Sequence, residues 1–95
     1  MTLQIVKTDI QPGERASWGY FTGCGDMILD VGASWITPDS QVSASIVEVD
    51  DDNVPKMGAA RMTVRNVQPY QGGIQTWVSI EWDSPLRVRV SHFYD

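Results

Sequence analysis

Apolar and polar residues alternate one by one along most of this chain, and turn-forming clusters cut the alternation at short intervals. Side chains of an extended strand point in turn to the two faces of a sheet, so this period marks half-buried strands. Ala60, Met62 and Val64, for example, interleave with Arg61, Thr63 and Arg65. No long window carries the helical spacing of apolar residues. The interruptions are Pro12-Gly13, Gly23-Cys24-Gly25, Pro38-Asp39-Ser40, Asp50-Asp51-Asp52-Asn53 and the turn-rich connection from Val67 to Gly73.

The pattern predicts strands over residues 3–7, 15–21, 26–37, 41–49 and 59–66, with two more inside 75–93. The expected fold is all-β: a small antiparallel two-sheet β-sandwich of about seven strands, immunoglobulin-like or jelly-roll-like, forming one domain over residues 1–95. A small barrel is the alternative closure. A chain of 95 residues buries roughly two-thirds of its unfolded surface, enough for one core without staples. Met27, Leu29, Val31, Ala33 and Trp35 share one predicted face, as do Ala16, Trp18 and Tyr20. These are the expected core, while Phe21 and Tyr70 are the expected exposed aromatics of loops.

The totals narrow the function classes. The net charge of -5 opposes the counterion release that drives phosphate tracking, so nucleic acid is not an expected partner. No apolar run is long enough to span a bilayer. The start MTLQIVKTD lacks the pattern of a cleaved secretory signal, so synthesis in the cytoplasm is expected. Cys24 is the single cysteine, which rules out an intramolecular disulfide and favours a reducing compartment.

The run QTWVSIEWDSPLRVRVSHF, residues 75–93, reads as a closing hairpin. Its even positions are mostly apolar and read as core, and its odd positions are mostly polar or aromatic. Residues directly opposed in a sheet share a face, so even must oppose even. A three-residue loop, Asp83-Ser84-Pro85, satisfies this by setting Trp82 opposite Leu86. Thr76 then meets His92 inside. Outside, Glu81 meets Arg87, Ser79 meets Arg89, and Trp77 meets Ser91. If residues 59–66 lie beside residues 74–82, then Arg61 and Arg65 join Arg87 and Arg89 around Trp77.

That gathering places four of the 7 basic residues on one face of an acidic protein. Trp and Arg dominate binding hot spots, aromatic rings stack on sugars, and Arg reads carboxylate or sulfate with paired hydrogen bonds. The expected ligand-binding set is Trp77, Arg61, Arg65, Arg87, Arg89 and Tyr70. The expected function is a non-catalytic module that binds carbohydrate or another polar ligand, a protein surface included. The alternative is a structural subunit that self-associates through this face or a sheet edge. A plainer reading also exists, in which outward charges only keep short strands from pairing with other chains.

Asp50, Asp51 and Asp52 offer oxygen ligands for calcium, but lack the spacing of an EF-hand loop and point in opposite directions if extended. They read as a solvated turn. Cys24 and His92 have no third group to orient them as nucleophile and base, and cannot complete a tetrahedral metal site. No cofactor, metal or catalytic residue is therefore expected.

Overall fold

The computed structural model describes residues 4–8 and 16–94. The predicted turn at 9–14 lies outside the described residues. The strands are β1 (Gln4–Thr8), β2 (Ala16–Gly23), β3 (Gly25–Gly32), β4 (Val42–Glu48), β5 (Arg61–Tyr70), β6 (Gly73–Glu81) and β7 (Leu86–Tyr94). No helix occurs among the described residues, and none there could cross a membrane.

Two sheets result, in the orders β1-β3-β6-β5 and β2-β7-β4. Each contains three strands in antiparallel pairing: β3, β6 and β5 in the first, β2, β7 and β4 in the second. The wholly antiparallel expectation fails at one edge, because β1 pairs with β3 in parallel. The cause is the path of the chain. It leaves β1, runs back along the other sheet as β2, and returns as β3 in the first direction. Cys24 alone joins β2 to β3, and Gly25 takes a φ of 79° beside it, a conformation open to glycine at no steric cost.

The closing hairpin does not form. β6 pairs with β3 and β5, whereas β7 pairs with β2 and β4. Both edges of β6 are occupied, so β7 has no place beside it. The chain instead turns sharply after β6, where the Trp82 amide donates to the Ile80 carbonyl, and crosses to the second sheet. The two strands are the middle members of separate sheets, with their apolar faces toward each other. The face assignment survives this change of partner. Ile74, Thr76, Val78 and Ile80 are buried, as are Val88, Val90 and His92. Thr76 and His92 do meet, across the gap between sheets, in a hydrogen bond with Oγ1 and Nε2 2.7 Å apart.

One core cluster unites both sheets: Met27, Leu29, Val78 and Ile80 from the first with Phe21, Val88 and Val90 from the second. A second cluster holds Val31, Ala33, Ile36, Ile74 and Tyr94. Full burial of each such aliphatic side chain is worth about 1.5–3 kcal/mol, before ordering costs. Ala33 and Ile36 lie in the turns after β3, which ends at Gly32 rather than at residue 37.

Four aromatic assignments are overturned, those of Trp18, Phe21, Trp35 and Trp82. β2 presents the opposite parity: Ser17 and Phe21 are buried and Trp18 is 57% exposed. Its register explains the inversion. Phe21 opposes Val88, Gly19 opposes Val90 and Ser17 opposes His92, so these residues share the inner side with β7's core residues. Trp35 is exposed on a turn and rests its ring on Tyr94, 5.9 Å between centroids. Trp82 is exposed because the chain has already left the sheet there.

β5 continues past the predicted end at residue 66. A bulge between Val64 and Asn66 makes Arg65 the extra residue and switches which parity faces inward. Met62 and Val64 point to the core before it, Val67 after it. Pro69 is accommodated because β5 is an edge strand. The β5–β6 hairpin closes through Gln71-Gly72, with Gly72 at φ 95°.

Candidate functional site

Trp77 lies on the outward side of β6, the middle antiparallel strand of the first sheet. The ladder sets it between Ile28 of β3 and Asn66 of β5, with Gln75 and Gln68 paired in the adjoining row. These five residues line a shallow cleft of about 90 Å³. Trp77 forms part of its wall, half-buried, and its indole N–H is buried with no partner among the described residues. Three carboxamides beside one aromatic surface supply donors and acceptors without net charge. The bulge is what brings Asn66 opposite Trp77.

Arg65 lies over the Trp77 ring. Its guanidinium carbon sits 5.5 Å from the Trp77 ring centroid, within cation–π range. Its Nε donates to Ser79 Oγ at 3.1 Å and lies 3.5 Å from Asp26 Oδ1. The Ser79 hydroxyl also donates to the Asp26 carboxylate. Arg65 is therefore held by a fixed carboxylate rather than free for a ligand anion. Arg61 pairs with Glu81 at 3.9 Å, with both side chains mostly exposed. This contact replaces the expected Glu81–Arg87 pair, since β5 and not β7 lies beside β6. Exposed pairs of this kind contribute little.

Tyr70 ends β5 on the same outward side. It is half-buried within a strand, not projecting from a loop. Its hydroxyl donates to Asp30 Oδ1 at 2.5 Å. The hydrogen bond to the Asp30 carboxylate, then burial, then the nearby negative charge raise its pKa, so it stays a neutral donor. The side chain passes over Gly73, where a Cβ would stand 2.4 Å from the hydroxyl and 2.6 Å from the Val31 carbonyl oxygen.

Arg87 and Arg89 do not join this group. They point outward from β7, on the far side of the other sheet. The expected ring of four arginines around Trp77 thus divides into Arg61 and Arg65 on one face and Arg87 and Arg89 on the other. The second face carries Phe93 of β7, outward as its parity predicts but away from Trp77, and Trp18 and Tyr20 of β2, which the alternation assigns inward. The overlooked signal is Gly19-x-Phe21-x-Gly23 on one parity. A Cβ at Gly23 would meet Met27 Sδ at 2.6 Å, so this parity must lie against the other sheet.

The remaining candidates are occupied by structural work. Asp50 Oδ1 accepts from the amides of Asp52 and Val54 at 2.8 and 3.0 Å, which shapes the loop tip. Asn53 adopts φ 63° there and accepts from Arg87 Nε at 2.7 Å. Cys24 packs against the core at the crossover between sheets. His92 is fully buried, and desolvation lowers its pKa. A larger cavity of about 460 Å³ opens between β4 and β5, over Ile46 and Met62. The Glu48–Lys56 ion pair, 3.2 Å, borders it.

No known protein family, curated protein or solved structure matches this chain.

Proposed function

We propose that the chain is a non-catalytic binding module that holds a neutral carbohydrate on the outward face of β3, β6 and β5. The two sheets are then the layers of a β-sandwich with an individual strand order, and the site occupies one broad side. The observation that carries this reading is the Trp77 cleft, an aromatic wall among the carboxamides of Asn66, Gln68 and Gln75. A sugar ring presents an apolar face for stacking and hydroxyls around its rim, and the cleft offers a counterpart to each. Arg65 adds donors at the margin, restrained by Asp26, and Tyr70 keeps its proton at the far end.

The fixed charges explain the choice of a neutral ligand. Arg65 and Arg61 both have carboxylate partners on the same face, so an anionic ligand would compete with Asp26 and Glu81. A glycan array identifies the ligand class. Trp77→Ala is expected to weaken binding of the best array ligand at least about tenfold, or about 1.4 kcal/mol. Trp18→Ala, on the other sheet, leaves it unchanged. No glycan bound, or equal binding by Trp77→Ala, overturns the reading. A face that instead drives self-association shows as a dimer in light scattering that Trp77→Ala converts to monomer.

A further inference from the structure

The β2-β7-β4 sheet turns a second surface to solvent, on the side of the molecule away from Trp77. The registers arrange it in rows. Ala16, Phe93 and Ser43 form one; Trp18, Ser91 and Ser45 the next; Tyr20, Arg89 and Val47 the third; Thr22 and Arg87 the last. Trp18 and Phe93 are 57% and 51% exposed, and they lie on neighbouring strands one diagonal apart. Such diagonals are about 7–8 Å, within reach of aromatic side chains. Arg87 lies 5.5 Å from the Tyr20 ring centroid.

Charge sets this surface apart. None of these row positions holds a carboxylate, although the chain has 12 acidic residues and a net charge of -5. The ion pairs among the described residues use Lys56, Arg61 and Arg65, and neither Arg87 nor Arg89 takes part in one. Arg89 Nε is buried beneath its neighbours with no hydrogen-bond partner among the described residues. The face is thus an aromatic and cationic surface on an acidic molecule.

We infer that this face docks an acidic protein surface, with Trp18 and Phe93 as apolar anchors and Arg89 as the charge anchor. Trp, Tyr, Phe and Arg together are the residue types that concentrate at the centres of protein interfaces. The surface extends across three strands and lacks the carboxamide cleft of the Trp77 side. Beside Phe93 a shallow groove of about 380 Å³, between Val42, Ser43 and Tyr94, has room for partner side chains. A second copy is a poor occupant. A two-fold contact through this face would set the arginine pair against itself with no carboxylate between.

The test is selection of a random phage-displayed peptide library on the full chain. Enriched peptides are expected to combine Asp or Glu with an apolar residue. Synthetic copies should lose at least tenfold in affinity against Trp18→Ala and against Arg89→Gln, each checked for folding by circular dichroism. Trp77→Ala should bind them as the parent does, which separates this face from the carbohydrate reading. Enrichment of neutral or basic peptides, or indifference to both variants, overturns the inference. So does retention on heparin without peptide enrichment, or a dimer in light scattering that Trp18→Ala abolishes.

Discussion

His92 combines full burial, one hydrogen bond to Thr76 and a second ring nitrogen with no partner among the described residues. Burial disfavours its charged form and lowers its pKa from the ordinary value. The unfolded chain therefore takes up a proton more readily than the folded one below about pH 6.5. Stability held above that pH is lost as pH falls through the window, by at most about 1.4 kcal/mol per pH unit from this group. Urea unfolding between pH 7.5 and about pH 5.5 should show the decline, and His92→Gln should flatten it at a lower baseline. A decline as steep in that variant would place the sensitivity elsewhere. Gly73 makes a second residue-scale case. Alanine there has backbone as well as the Tyr70 ring to displace, so Gly73→Ala should cost about 1–3 kcal/mol in chemical denaturation. Relief by Tyr70→Phe would be slight, because the Val31 carbonyl remains.

At the scale of elements, the alternation of β6 and β7 told truly which side chains face inward. It could not tell which strand lies beside which. An apolar face is satisfied equally by a neighbour in the same sheet and by a strand in the sheet opposite. Ile80 and Val88 reach the same core either way. The bulge at Arg65 was illegible for a related reason. Val64 and Val67 break the alternation, and only the pairing with β6 shows that the strand runs on to Tyr70. β2 misleads because two large aromatics, Trp18 and Tyr20, together with Ala16 outweigh Ser17, Gly19 and Phe21 as an apolar set. Close packing between the sheets favours the parity that carries Ser17, Gly19 and Gly23, with Phe21 filling the core beside them. Amide hydrogen exchange tests the arrangement. The middle strands β6 and β7 should be protected longest and the edge strands β1, β2, β4 and β5 least. Strong protection of β4 above β7 would contradict the strand order. Ile80→Ala, at the shared core, should cost about 2–5 kcal/mol.

At the scale of the molecule, separating β6 from β7 turns one expected surface into two. The Trp77 side was legible as far as Trp77, Arg61 and Arg65 share an outward face; Tyr70, read as a loop residue, joins it only because β5 runs on past the bulge. The carboxamides were not, since Asn66 and Gln68 acquire that side only through the bulge. The side with Arg87 and Arg89 gains Trp18, Tyr20 and Phe93 only once β2 is known to run beside β7. Each side thus has a distinct character: amide-rich and internally paired around Trp77, aromatic and free of carboxylate around Arg89. The most direct measurement is a heteronuclear NMR titration of the isotope-labelled chain with the best glycan from the array. The account predicts shift changes centred on Ile28, Asn66, Gln68, Gln75 and the Trp77 indole, with Trp18, Arg89 and Phe93 unmoved. Changes centred on β2 and β7, or none at saturating glycan, would contradict it.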